Sequence, residues 1–375
     1  MGIAAVVAAV AVIIQGTEEA RPAEQAAAAP PPAPSTGPSR AAAPAAGPEE
    51  AQAKAPRFSA TTCWPDLARF NDAVTIDTFR AWAGPLIASN DPHVLAYLQE
   101  RLAELIGGDE GRALEVLEWA REAPPEEFKL FLAGVRGASA LLKPRVAERL
   151  IDLGLDPKMD LERRAGYLDG VQQLHRLESH QLERLGHFAK DAASGEAGWV
   201  ATRAIGRVMM EDLARTGTAK PYLDKLLTIG TESQDEPVRY LALEMEMHAD
   251  APLDAKSTAR LARLLSTEGS EHVRRVVAHD LSLAEDKKQV LDIYAKAFAA
   301  ERDLCVRWAL FRFSARAAGK DALPTMANMA MIDPRFQANY QDIERLYASG
   351  VVDYDRIWFG LPDQNAHGCL DHHDD

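Results

Sequence analysis

The chain has 375 residues, 47% of them hydrophobic, and a formal net charge of −14. That length is enough for one large core or several. The acidity, with no Lys/Arg block of five or more to offset it, argues against a nucleic-acid platform, which needs a clustered basic surface. It fits either a well-solvated acidic surface or an acidic face for a basic partner.

The chain begins with an apolar run, Gly2 to Ile14, ended by Gln15. As a helix, such a run spans about 20 Å, short of the roughly 30 Å hydrocarbon layer, and no basic residue precedes it. Two readings stand: a short signal or anchor segment over residues 1–16, or an apolar start with no targeting role. Residues 17–57 hold nine prolines, including Pro30, Pro31 and Pro32, with alanine filling most of the rest. Proline removes backbone donors and little here can bury a core, so this stretch is expected to be a disordered spacer. An apolar start, a spacer and then a folded domain is the layout of a tethered domain.

From about Phe58 to Gly350 the pattern is helix after helix, expected as an all-α domain of antiparallel pairs over residues 58–350. Asp91-Pro92 supplies a cap and a first-turn proline ahead of a helix that Gly107-Gly108 closes. Leu95, Leu98, Leu102 and Leu105 are expected on its inner face. Asp109 opens the next helix, and Pro124-Pro125 stops it. Asp254 caps a helix whose Leu261, Leu264 and Leu265 face inward. Asp286 precedes one in which Val290, Tyr294 and Phe298 recur every four residues.

Four of these runs share related text: WVATRAIGRV from Trp199, PVRYLALEM from Pro237, HVRRVVAHDL from His272 and CVRWALFRF from Cys305. Their valines, Val200, Val238, Val273 and Val306, are spaced by 38, 35 and 33 residues. A two-helix unit of that length cannot bury its apolar face alone, so neighbours must stack. Each valine and the residue four positions on (Ala204, Ala242, Val277, Leu310) form the expected contact row.

Over residues 195–320 this text resembles HEAT-type repeats, whose second helix carries an acidic cap followed by Val-Arg and a small residue. The resemblance implies an α-solenoid and places Arg239, Arg274 and Arg307 at the family's arginine position, where that residue ties one repeat to the next with help from an acid. Asp235, Glu271 and Asp303 are the acids expected in that role. The Val200 unit departs from the pattern, with Ala201 in place of the arginine.

No His-Glu-x-x-His, phosphate loop, Gly-x-Ser-x-Gly or dinucleotide fingerprint occurs in the chain, so no catalytic residue and no cofactor is expected. His175, His180 and His187 fall in one stretch and are expected as surface histidines. The C-terminal region 351–375 combines a cap over the open end of the last repeat, drawn from Tyr354, Ile357, Trp358 and Phe359, with an acidic His-rich tail. His367, Cys369, His372 and His373 are its candidate metal ligands. No cysteines form a Cys-x-x-Cys pair. Cys305 is expected as a small buried apolar residue, while Cys63 and Cys369 flank the helical region and make a possible disulfide in an oxidising compartment, if the tail folds back.

Together these features are expected to make a non-enzymatic protein-binding or scaffold module, tethered to or exported across a membrane into the cell envelope or periplasm, that recognises another protein along a solenoid surface. The N-terminal segment would engage the membrane, and no nucleic acid is involved. The alternatives are a structural component of an envelope assembly, a metal-handling or enzymatic protein using the His/Cys tail, and, for location, a cytoplasmic chain.

Overall fold

The computed structural model describes residues 64–249 and 251–369, all within one compact unit, Ala55–Asp375. The apolar segment at residues 2–14, the Pro/Ala-rich linker, Cys63, His372 and His373 lie outside the described residues.

The described chain is all-α. It opens with α1 (Trp64–Ala73), α2 (Ile76–Ile87), α3 (Pro92–Ile106), α4 (Glu110–Glu122), α5 (Pro125–Gly137) and α6 (Pro144–Leu155). It continues with α7 (Leu161–Val171), α8 (Ser179–Lys190), α9 (Gly195–Thr216), α10 (Lys220–Glu232), α11 (Glu236–Met247) and α12 (Ala255–Thr267). It closes with α13 (Glu271–Leu281), α14 (Lys287–Ala300), α15 (Leu304–Ala318), α16 (Leu323–Ile332), α17 (Gln337–Ala348) and α18 (Tyr354–Phe359). Among the described residues there is no strand; Leu253 and Ala284 form a single parallel bridge.

The helices start where their sequences place hydrogen-bond acceptors. A helix's first amides lack intrahelical partners, and short acidic side chains supply them. Asp91 accepts from the amides of His93 and Val94, Asp109 from Arg112, Asp254 from Ser257 and Asp286 from Gln289. The inner face of α3 is rotated slightly from the expected leucine stripe. Val94, Leu98, Leu102 and Ile106 are buried, whereas Leu95 and Leu105 are only half-buried. Four-residue steps keep one line along a helix, and the flanking leucines widen it. Val290, Tyr294 and Phe298 on α14 are fully buried, as the pattern implies.

Packing follows a regular rule. The pairs α4–α5, α6–α7, α8–α9, α10–α11, α12–α13 and α14–α15 each lie side by side. First helices pack on first helices (α4, α6, α8, α10, α12, α14, α16) and second helices on second helices (α3, α5, α7, α9, α11, α13, α15). This makes two continuous rows, in which each pair closes the apolar face of its neighbour. Val200, Val238, Val273 and Val306 all fall on the second row and are buried, as are Ala204, Ala242, Val277 and Leu310. Close approach within that row depends on glycine: a Cβ on Gly134 of α5 would lie 2.6 Å from Leu102 of α3, and one on Gly206 of α9 would lie 2.6 Å from Met245 of α11.

Val273→Asp is expected to destabilise the stack by about 3 kcal/mol or more, because an unpaired carboxylate would replace a fully buried side chain. A circular-dichroism melt indistinguishable from that of the parent would contradict the row assignment.

Candidate functional site

One edge of the stack, where each first helix ends and its second helix begins, carries a ladder of arginines. Arg239 donates to Glu268 through Nε and Nη2 at 2.9 and 3.1 Å, and its Nη1 donates to the Ser233 carbonyl at 3.1 Å. Arg274 repeats this one pair on, donating to Glu301 at 2.8 and 3.2 Å and to the carbonyls of Glu268 and Gly269. Arg307 donates to Asp333 at 2.9 Å. Ser233, Glu268, Glu301 and Asp333 stand just past the ends of α10, α12, α14 and α16. Each of these three arginines therefore joins a pair to the end of the next pair's first helix, and Arg239 and Arg274 also satisfy carbonyls at the end of their own pair's first helix. Burial opposes ionisation of Glu268 and Glu301. Arginine and backbone amide donors outweigh it and hold both carboxyls below their ordinary range. Asp333 is held lower still, first by Arg335 and, against some burial, by Arg307.

The arginines thus make the expected ties, but with other acids. Asp235 and Asp303 are occupied as helix caps, accepting from the amides of Val238 and of Cys305 and Val306. Glu271 is exposed, with its carboxylate 3.6 Å from His272. The partner acids lie some thirty residues further on, at helix ends where their backbone neighbours also need an acceptor. The arginine position recurs two pairs before Arg239, skipping the Val200 unit. Arg164 follows its cap Asp160 at the same interval, donates to the Gly154 carbonyl at 3.2 Å and lies 4.5 Å over the Phe188 ring. In the Val200 unit, Arg203 of α9 and Arg136 of α5 instead converge on Asp169 of α7, at 2.6 and 2.7 Å.

The C-terminal segment runs back along α15. Tyr354 lies beneath Arg316, Trp358 beneath Arg312 and near Trp308, and Ile357 is buried. Phe359 remains exposed. His367 packs against the rings of Trp308 and Phe336, and its Nε2 is 2.9 Å from Asn339 Oδ1. Cys369 is disulfide-bonded to Cys305, and its carbonyl accepts from Arg275 of α13 at 2.7 Å. This corrects two expectations. Cys305 is a bonded, half-buried cysteine, and Cys369, whose sulfur takes one such bond, is not available to Cys63. The fold-back of the tail brings Cys369 to the start of α15 rather than toward the N-terminal end of the domain.

Among the described residues, no group of three or more His, Cys, Asp or Glu is arranged to hold a metal. His367 and Cys369 are engaged as above. His175 faces Glu211 at 3.1 Å and His180 faces Glu148 at 3.0 Å, both on the surface.

The opposite edge, where second helices end, holds two carboxyls that sequence reasoning passed over. Glu246 and Asp280 are the penultimate residues of α11 and α13. They are 5% and 0% exposed, and Glu246 Oε2 and Asp280 Oδ2 have no hydrogen-bond partner among the described residues. Burial pushes Glu246 up to about 8, with Asp224 adding to the effect and Arg260 opposing it. Burial also pushes Asp280 well above the carboxylate range. Glu246 reinforces that shift and Arg316 opposes it. His279 lies between the elements: Arg316 donates to its Nε2, and its Nδ1 is 3.4 Å from Asp280 Oδ1. Burial, then Arg316 and Arg312, hold His279 neutral.

Glu246 also lines a cleft of about 480 Å³ between the α9–α10 turn and the α11–α12 linker, together with Asp224, Asp254 and Glu285. A detectable sign of this edge was present in the sequence: an acid in the last turn of an apolar helix opposes the helix dipole and calls for a reason. In the comparisons with known proteins, no protein-family model, no curated protein and no solved structure matches the chain.

Two outcomes are expected. Arg274→Ala is expected to cost about 2–3 kcal/mol, because it strands a mostly buried Glu301. A double-mutant cycle with Glu301→Ala should show positive coupling, and additive losses would remove the tie. The second concerns pH. A carboxyl whose folded value is raised contributes stability that is fully present below 4.5 and is lost as pH rises through about 8. The histidines held below their ordinary value, the buried His279 and the half-buried His367, act the other way, contributing above 6.5 and losing stability as pH falls. Above about pH 7 the effects of the two buried carboxyls, Glu246 and Asp280, remain, so denaturation midpoints should fall toward pH 8.5, each carboxyl contributing a slope of up to about 1.4 kcal/mol per unit. Glu246→Gln should remove the Glu246 share and make the slope shallower, and a slope unchanged by the substitution would show that Glu246 does not contribute to it.

Proposed function

We propose that the chain is a HEAT-like α-solenoid that serves as a non-enzymatic protein-binding or scaffold module, carried at a membrane or exported across it. The observation that carries this reading is the two-row stack of helix pairs joined by Arg239, Arg274 and Arg307. Stacked repeats present a long continuous surface, and recognition along such a surface is what the architecture does best. The step from architecture to binding is an analogy of form, since a fold by itself does not dictate function. The Cys305–Cys369 bond supports an exported domain, because such bonds persist in oxidising compartments. The membrane part of the proposal rests on the apolar run at residues 2–14. Among the described residues no helix is long and apolar enough to cross a membrane.

The test is site-specific photo-crosslinking in cells. Probes go at Arg207 and Tyr240 on the second row and at Glu115 and Arg263 on the first, with fractionation of the same cells. One protein crosslinked from both positions of a single row, in the envelope fraction, is the expected result. Crosslinks from no position on either row, or a chain confined to the cytoplasmic fraction, would overturn the binding and location parts respectively.

A further inference from the structure

We propose that the cleft between the α9–α10 turn and the α11–α12 linker is a binding site for a primary alkylammonium group, received by the carboxylate of Glu246.

Three features of the cleft support this. The first is its lining. Among the described lining residues, Glu246, Asp224, Asp254 and Glu285 supply four acids, against the one base Lys220, which is exposed and lies 3.9 Å from Asp224. Leu213, Leu223 and Leu253 supply apolar wall. An apolar stem ending in a compact positive charge matches that combination, because the stem removes apolar surface from water while the head meets a carboxylate. A bare metal ion would need several oxygen ligands converging at short range, and no group of three candidate ligands is so arranged among the described residues.

The second is the unfilled acceptor. One pair earlier, the buried Asp212 is satisfied within the fold: the Tyr222 hydroxyl donates to it at 3.0 Å and itself accepts from the Leu177 amide. Tyr222 is the third residue of α10. The third residue of α12 is Ser257, which also lines the cleft. With serine in place of tyrosine, no phenol reaches Glu246. Glu246 is 5% exposed and its Oε2 has no partner among the described residues, and a buried acceptor left unpaired costs free energy until a donor arrives.

The third is a fixed wall. The α11–α12 linker is pinned to the α13–α14 turn by paired backbone bonds, Leu253 N to the Leu283 carbonyl at 3.1 Å and Glu285 N to the Leu253 carbonyl at 3.2 Å. This holds Leu253 and Glu285 in place before any ligand enters, which lowers the ordering cost of binding.

The charged groups around Glu246 are Asp224 of α10, Arg260 of α12 and Asp280 of α13. With its value near 8, Glu246 is protonated at neutral pH. Binding therefore proceeds as an ammonium plus a carboxylic acid giving an ammonium–carboxylate pair and one released proton. Affinity should rise about tenfold per unit as pH increases toward 8, and fall only where the free amine loses its own proton near 10.

The inference does not depend on the scaffold reading, since it needs no partner protein. The experiment is isothermal titration of the purified chain with n-butylammonium, and with a short lysine-containing peptide, at pH 6.5 and 8.0. The same titrations are run on Glu246→Gln and Ser257→Tyr, with circular dichroism confirming that both are folded. Expected are one-to-one binding of at least one probe, an affinity at least tenfold higher at the higher pH, and loss of binding in both variants. Preference for the free amine would identify a small-molecule ligand, and preference for the peptide a lysine of a partner; either supports the site. Absence of saturable binding of both probes up to about 10 mM, or binding unchanged by Glu246→Gln, would overturn it.

Discussion

Arg239 and Arg274 each serve two helix ends at once, and the regularity of this part of the stack depends on that double duty. A helix end leaves carbonyls unpaired, and the loop that follows leaves amides unpaired. Glu268 accepts from the Ser270 amide and from Arg239, while Arg274 donates to the carbonyls of Glu268 and Gly269 and then to Glu301. The same pattern continues through Asp303 N to Glu301 and Arg307 to Asp333. Hydrophobic contact between rows is non-directional and would tolerate sliding of one pair past the next. A bidentate guanidinium–carboxylate pair fixes both distance and angle. The valine row therefore supplies the burial, and the arginines set where along each helix that burial occurs.

Much of this was legible in the sequence because it is written locally. A cap residue and the helix it starts are a few positions apart, so Asp91, Asp254 and Asp286 could be read directly. The valine and arginine positions recur at a short period and could be aligned by eye. Contacts set by the return of the chain were harder to read. Arg274 and Glu301 are 27 residues apart, and nothing in the text around Glu301 distinguishes it from the nearer Glu271. The register of the first-helix ends, which only packing determines, makes the choice. The Cys369 pairing failed for the same reason. A Cys63–Cys369 bond was possible only if the tail folded back to the N-terminal end of the domain, whereas the tail packs on the rings of Trp308 and Phe336 and stays over α15, where Cys305 lies.

The two edges of the stack differ in kind. The arginine edge has its charges matched by hydrogen bonds, and its carboxyls are held ionised. At the other edge Glu246 and Asp280 are held protonated, at helix ends where the dipole already disfavours negative charge. Such groups weaken a fold rather than strengthen it, since apolar residues of similar volume would pack there at less cost. Asp212 shows how the fold meets that cost when it can, through Tyr222. No such donor reaches Glu246 Oε2 or Asp280 Oδ2 among the described residues.

The C-terminal segment bears on where a ligand or partner could approach. The last helix pair has an apolar face to cover, and α18 and the residues up to Cys369 do so over α15. Trp308 is 1% exposed beneath Trp358 and His367. The bond between Cys305 and Cys369 closes a separation of 64 residues. In the chain-entropy view, that constrains the unfolded chain by about 4 kcal/mol. The last pair is thus committed to the tail, and the second row remains available only further back, on the helices before α13. The cleft beside Glu246 opens on that same stretch of the stack, between α9 and α12. There the described part of the C-terminal segment, which ends at Cys369 on Cys305 of α15, lies away from both the helix faces and the cleft.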